Sequence, residues 1–250
     1  MDPRKVIEEY MGDGDISNEN ANMSKGPSGL LFAVGSEGLK EHNLEILMQE
    51  GFGDLVDLHR EGGIHIHDLS LGLYTPYCVG ASLPNLLAGG IESSILSAPA
   101  KHFSSAINHI VNFIGTVANE VAGAVAFNNV DLYLGPYAYK QYLDYKKMGL
   151  TGNLAFKAAR KDIYQHIQSL IFHLNYNSRW ANQAPFSNLN LALTVPEDHK
   201  EELALIGGTP VQDHFDFSRD GIEVKNHTYQ DLEEWQSLVA EAFLDILTEG

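Results

Sequence analysis

The residues richest in chemistry lie together in "GGIHIHDLSLGLYTPYCVG", residues 62–80, which holds His65, His67, Asp68 and Cys78, the only cysteine of the chain. An H-x-H pair on an extended segment puts two imidazoles on one side, as in the zinc or iron sites of metal-dependent hydrolases. Such a site needs further His, Asp or Glu ligands, and no second cluster among the eleven histidines has convincing ligand spacing. The same pair also suits imidazoles hydrogen-bonded in a polar interior. Cys78 reads either as a nucleophile with a histidine base or as an inert buried thiol, and spacing alone does not choose.

Three other groups carry polar chemistry. In "RWANQAPFSN", Arg179, Asn182, Gln183, Ser187 and Asn188 stand next to Trp180 and Phe186. That mixture suits a polar ligand pocket, or equally a turn that caps a helix end. Lys101-His102 follows Pro99 at a predicted helix start. Free backbone N–H groups and an ammonium there suit a phosphate, although a surface lysine is the commoner case. Lys157, Arg160 and Lys161 read as a solvated helix face.

The elements that must position these groups follow from periodicity. Residues 1–36 are turn-rich and read as irregular, with a polar cluster at Asn20 and Asn22. Residues 37–60 read as helix with a break at Gly51 and Gly53, and "GGIHIHDL" as a short strand with His65 and His67 on one face. A helix is expected over about 99–119. "AGAVAFNNVDLYLGPY" then switches to small and β-branched residues and ends at Gly135-Pro136. Two more helices are expected at about 154–174 and 232–247, with an alternating strand, "FSNLNLALTV", between them.

The chain has 250 residues, 44% of them hydrophobic, enough for a sizeable core. Its net charge of -17 disfavours nucleic acid and anionic membranes as partners but leaves room for a small anion in a local basic pocket. One cysteine makes neither an internal disulfide nor a thiolate zinc site. A reducing, cytoplasmic setting is expected. The most apolar stretch, "INHIVNFIGTVANEVAGAVAF", is interrupted by His109, Asn112, Asn119 and Glu120 and does not read as a membrane span.

Taken together, "NENANM", "GGIHIHDL", "YTPYCVG", "SAPAKHFSSAINHIVNFIGTVANEVAGAVAFNNVDLYLGPY" and "LNYNSRWANQAPFSNL" resemble, in order and spacing, the anaerobic, class III ribonucleoside-triphosphate reductases. The resemblance runs from about residue 8 to residue 250. It implies an α/β fold: the first part of a ten-stranded barrel of the ribonucleotide reductase and glycyl-radical type, with long outer helices, as a single domain over 1–250. It also implies thiyl-radical chemistry. A glycyl radical, made by an S-adenosylmethionine-dependent 4Fe-4S activase, passes its unpaired electron to a cysteine, which removes the ribose 3′ hydrogen. The 2′ hydroxyl leaves as water, with formate as reductant.

The match places Cys78 at the family's first-strand active-site cysteine, which gives a hydrogen to the 2′ position. His65 and His67 fall at the histidine pair near the substrate, so ribose or water binding is expected of them rather than metal. Lys101 falls near the dimer interface where deoxynucleotide or ATP effectors bind. No role follows for Asn20, Asn22 or the 179–188 segment. "RWANQ" stands where relatives often have "RWGGQ", and Ala81 where an aromatic is frequent. The ATP-cone, the thiyl cysteine, the glycyl-radical glycine and the four-cysteine zinc site are not found in these residues. A chain of this extent is expected to be inactive without a C-terminal half. The alternatives are an H-x-H metal-dependent hydrolase, or a non-catalytic nucleotide-binding regulatory relic.

Overall fold

A computed structural model of the protein describes residues 2–11, 26–90, 97–179 and 183–249. The chain forms two compact units. One takes residues 1–79, 115–125 and 176–186, the other residues 80–114, 126–175 and 187–250.

The first unit begins with α1 (Pro3–Met11), α2 (Pro27–Gln49) and α3 (Gly53–Arg60). The turn-rich reading of residues 1–36 is therefore corrected. Asn20 and Asn22 lie outside the described residues, but α1 and the first ten residues of α2 are helical. Glycines and serines lower the intrinsic propensity of "PSGLLFAVGSEG", yet Pro27 suits a first helical turn. Once a helix is nucleated, each further residue adds one hydrogen bond, so the stronger C-terminal half carries the weaker one. The break expected at Gly51 and Gly53 is where α2 gives way to α3. Tyr10 ties the entry to α2: its hydroxyl donates to the Gly26 carbonyl at 3.0 Å and accepts from the Gly26 N–H at 2.8 Å. The small core of this unit is Leu44, Val56 and Leu69, flanked by Leu47 and Ile66.

The second unit contains α4 (Leu83–Gly89), most of α5 (Phe103–Val117), α6 (Val130–Lys147), α7 (Gly152–Leu174), α8 (Phe217–Asp220) and α9 (Glu233–Glu249). Helices α6, α7 and α9 pack on one another. The buried residues of α7 are Ala155, Ala159, Ile163, Ile167, Leu170 and Leu174, recurring at the three-and-four spacing of one helix face. Trp235 of α9 has Tyr139, Tyr142 and Phe156 around it at ring separations of 5.7, 5.1 and 5.7 Å. Polar links join the outer edges: the Tyr145 hydroxyl donates to Asp162, and Tyr164 donates to Asp245 at 2.6 Å.

The expectation that "AGAVAFNNVDLYLGPY" ends at Gly135-Pro136 fails, because both residues lie inside α6. Pro136 removes one helical hydrogen bond, but tertiary packing outweighs that loss. A Cβ on Gly135 would stand 3.1 Å from the Gln236 nitrogen of α9, so glycine permits the close approach of the two helices. Asp131, in the first turn of α6 and fully buried, accepts from Ala192 N–H and Leu193 N–H at 2.8 Å each and from Gln236 Nε2 at 3.1 Å. These bonds hold residues 192–193 in a bend with Leu193 at φ 65. That bend shortens the strand expected over "FSNLNLALTV".

The strands are short: β1 (Val79–Ala81), β2 (Val125–Phe127), β3 (Ser187–Leu189), β4 (Leu205–Ile206) and β5 (Thr209–Pro210). The first three form a sheet in the order β1-β2-β3, and β4 pairs antiparallel with β5. "GGIHIHDL" is not a strand, which corrects the sequence reading. Ile66 turns into the Leu44 core, and Asp68 takes a left-handed φ of 48 that ends any two-residue alternation. No helix among the described residues is long and apolar enough to cross a membrane.

Asp220 closes α8 with a carboxylate whose side chain is 1% exposed and which Lys147 meets at 2.7 Å and Arg219 at 2.8 Å. Bonds from Arg219 first, then from Lys147 and the Asp216 N–H, hold its pKa well below the ordinary carboxylate range. A carboxylate with a depressed folded-state pKa stabilises the protein above its unfolded value, and that stabilisation fades as pH falls below about 4. Asp220→Asn should therefore melt at a lower temperature than the wild type at pH 7. The gap should narrow as the pH is lowered from 4 towards 2, as read by circular dichroism.

Candidate active site

Cys78 is exposed, at the end of the loop that leads into β1. Its sulfur is held from one side by the turn that follows α5. The Ala122 N–H donates to the Pro76 carbonyl at 3.0 Å and the Gly123 N–H to the Tyr77 carbonyl. The Ala124 N–H donates to Cys78 Sγ at 3.3 Å, and the Val79 N–H returns a bond to the Ala124 carbonyl at 2.9 Å. Two strands of backbone are thus laced together around the thiol. Gly123 is required for it: a Cβ there would stand 2.6 Å from Cys78 Sγ and closer still to the Tyr77 carbonyl oxygen.

The turn itself is fixed by Arg179, which is 5% exposed. Its guanidinium donates to the carbonyls of Ala118 at 2.9 Å, Val121 at 2.8 Å and Ala122 at 2.7 Å, and to Gln183 Oε1 at 3.3 Å. The Phe186 ring lies 5.0 Å from its carbon centre. These carbonyls belong to the turn beyond Val117, the last residue of α5, and a planar fork of donors meets them there. Burial lowers the Arg179 pKa from its ordinary value, while the Asp68 carboxylate works in the opposite direction. In the 179–188 segment, for which the sequence offered a ligand pocket or a helix-end cap, Arg179 fastens the turn that follows α5. Trp180 and Asn182 lie outside the described residues.

In the segment before the thiol, rings form a chain that ends at Tyr77, the residue preceding Cys78. His59 of α3, His65, His67 and Tyr77 follow one another at centroid separations of 5.9, 5.5 and 6.1 Å. His65 Nε2 and His67 Nδ1 are 3.3 Å apart, so one donates to the other when the pair carries a single proton between them. The backbone N–H of Ile66 donates to His59 Nδ1 at 3.2 Å, which leaves the proton of neutral His59 on Nε2. Both His65 and His67 are exposed rather than buried in a polar interior.

Asp68 sits 3.7 Å from His67 Nε2 and against the Tyr77 hydroxyl. Burial, then the charge of Asp68, push the Tyr77 pKa above its ordinary value. The strained backbone of Asp68 and the cluster around it mark this bend as more than a connection. Among the described residues no group of three His, Cys, Asp or Glu is arranged to hold a metal ion. The H-x-H hydrolase reading therefore finds no ligand set there.

Asn43 of α2 anchors the loop that carries the histidines. It is fully buried, donates to the Leu69 carbonyl at 2.6 Å and the Ser70 carbonyl at 3.3 Å, and accepts from the Tyr74 hydroxyl at 2.7 Å. Sequence reasoning missed Asn43, Gly123 and Tyr77 and left Arg179 undecided. Asn43 follows Lys40, Glu41 and His42, so nothing local marked it out from its polar neighbours.

Lys101 belongs to the second unit. It is exposed just before α5, beside His102. Burial, and after it Lys140, lower the His102 pKa, and Lys101 adds to the effect. Burial lowers the His214 pKa as well, with Lys140 and Lys101 again contributing against the Ile206 carbonyl bond. Lys140, only 7% exposed, is paired with Asp144 at 2.6 Å and lies 5.7 Å from the Phe215 ring centre. Two lysines thus act on two histidines here, which burial and those charges favour in the neutral form.

Solved structures with this fold are anaerobic ribonucleotide reductases. The enzyme from Thermotoga maritima with dATP bound in the specificity site superposes with a TM-score of 0.68 at 18% identity, covering 99% of this chain and 37% of that one. The same enzyme in complex with dATP and CTP gives a TM-score of 0.64 at 19% identity, covering 90% and 35%. The family model for anaerobic ribonucleoside-triphosphate reductase matches residues 19–250, and the chain belongs to that family. Relatives include the anaerobic ribonucleoside-triphosphate reductase of Escherichia coli strain K12, 27% identical over 149 residues, 56% of this chain and 21% of the relative. The Haemophilus influenzae enzyme of the same name is 26% identical over 192 residues, 72% of this chain and 26% of the relative. The chain spans about a quarter of the length of these relatives.

Removing Asn43 leaves two carbonyls and a hydroxyl without their partner, at about 1–3 kcal/mol for each buried group that stays unsatisfied. Asn43→Leu should lower the unfolding free energy by about 3 kcal/mol in urea titration.

Proposed function

We propose that this chain is the first part of the catalytic barrel of an anaerobic ribonucleotide reductase, which makes deoxyribonucleoside triphosphates for DNA synthesis. The observation that carries the reading is the family match over residues 19–250, combined with a thiol that is exposed and held by backbone on one side. The complete assembly is a cytoplasmic, ten-stranded barrel enzyme, a homodimer that takes ribonucleoside triphosphates, with formate as reductant. A C-terminal half supplies the thiyl cysteine and the structural zinc site. The glycyl radical, installed by a separate S-adenosylmethionine-dependent 4Fe-4S activase, supplies the unpaired electron that starts hydrogen abstraction. The residues of this chain offer one cysteine, so they fit the hydrogen-donor role and not the four-cysteine zinc site.

Within this chain Cys78 donates the hydrogen of its S–H bond to the ribose 2′ carbon once the hydroxyl there has left as water. His65 and His67 bind the ribose or the departing water. Their shared-proton contact leaves ring nitrogens able to donate and to accept. Tyr77, ordered by Asp68, closes the gap between the histidines and the thiol. Lys101 binds the phosphates of a deoxynucleotide or ATP effector, with His102 and His214 near it as neutral hydrogen-bonding groups.

Co-expression with a polypeptide carrying the later barrel and the glycyl-radical segment should yield deoxynucleotides under anoxia. Cys78→Ala in that assembly should abolish product while leaving assembly intact, and full activity in the variant would end the assignment. For the effector, Lys101→Ala should weaken deoxynucleoside triphosphate binding about tenfold in calorimetry, the scale of one charge-assisted contact.

A further inference from the structure

We infer that Arg179 and Gly123 are positioning residues for the Cys78 sulfur, acting through the turn of residues 118–124. The inference rests on the reading of Cys78 as hydrogen donor and says how its sulfur is kept where it must be.

The route is continuous and runs through backbone groups between the Arg179 guanidinium and the Cys78 sulfur. Arg179 fixes the carbonyls of Ala118, Val121 and Ala122. The same short turn then presents three successive N–H groups, those of Ala122, Gly123 and Ala124, to the Pro76 carbonyl, the Tyr77 carbonyl and Cys78 Sγ. Backbone peptides are planar, so fixing the Val121 and Ala122 carbonyls fixes the N–H groups of Ala122 and Gly123, which hold the Pro76 and Tyr77 carbonyls, and the Ala124 N–H that meets the sulfur follows one residue further along the same turn. A sulfur that accepts one N–H bond has a lone pair committed, which limits the directions left to its own hydrogen.

Arginine suits the task where lysine does not. Its planar fork reaches three carbonyls and the Gln183 amide oxygen at once, and the Phe186 ring covers it. Gly123 serves the same end by absence. Without a Cβ, the turn approaches until the Ala124 N–H reaches the sulfur. The thiol therefore owes its place to residues about 45 and 100 positions further along the chain.

The test uses the full chain, whose single cysteine gives one S–H stretching band in infrared spectra, and the frequency of that band reports the hydrogen bonding of the sulfur. Gly123→Ala, Arg179→Met and Arg179→Lys are compared with the wild type, taking those that keep the wild-type circular dichroism. The band should shift in Gly123→Ala and Arg179→Met and lie between the two positions in Arg179→Lys. An unchanged band in the folded variants would overturn the inference. Loss of fold in all three would also overturn it, since the turn would then be a folding element and not a positioning one. This readout needs no substrate, so its outcome is separate from the fate of the hydrogen-donor reading. In the reconstituted enzyme, Gly123→Ala should lower kcat about 100-fold with KM unchanged, as a displacement of about 1 Å does to a reacting atom.

Discussion

A buried guanidinium that fastens the turn after α5 is the constraint on which the site depends. The carbonyls of Ala118, Val121 and Ala122 lie beyond the last residue of α5, and Arg179 donates to all three. Leaving them unpaired in a dry environment would cost about 1–3 kcal/mol apiece, so the turn and the arginine stabilise each other or neither persists. Burying a charge is itself costly unless it is fully bonded, and the Gln183 oxygen and the Phe186 ring complete the shell. Because the turn is held, its N–H groups are held, and through them the loop that carries Cys78.

The histidine segment that precedes the thiol is organised by weaker forces. Rings at separations of 5.5–6.1 Å, one shared-proton contact and one carboxylate at a strained bend set the places of His65, His67 and Tyr77. Asn43 supports that bend from α2 by taking up the carbonyls of Leu69 and Ser70. Rigid backbone at the sulfur and adjustable side chains in the segment before it suit a site in which one atom must stay fixed while a ligand is accommodated. The second unit follows a separate logic. Its three packed helices depend on apolar faces, the Gly135 contact and the buried Asp131 carboxylate.

Much of the helical architecture was legible because burial along a helix repeats at its own period. The faces of α7 and α9, and the break between α2 and α3, follow from spacing alone. The failures share one physical origin. "GGIHIHDL" has the alternation of a strand, but alternation does not supply a partner strand, and the pull of Ile66 into the Leu44 core bends the segment instead. Gly135-Pro136 has the local chemistry of a stop, yet contact with α9 rewards a helix that continues. In "RWANQAPFSN" the sequence offered a pocket and a cap on equal terms, because nothing in the segment says which distant carbonyls lie within reach.

The sequence by itself determined which residues carry chemistry: His65, His67 and Cys78 stand out by type and spacing, and motif order ties them to the anaerobic ribonucleoside-triphosphate reductases. Tertiary structure decided how that chemistry is held. Arg179, Gly123 and Asn43 act on partners between 26 and 61 residues away. A hydrogen bond or a close approach over such separations is set by where the chain returns in space, and no local pattern of residues records that.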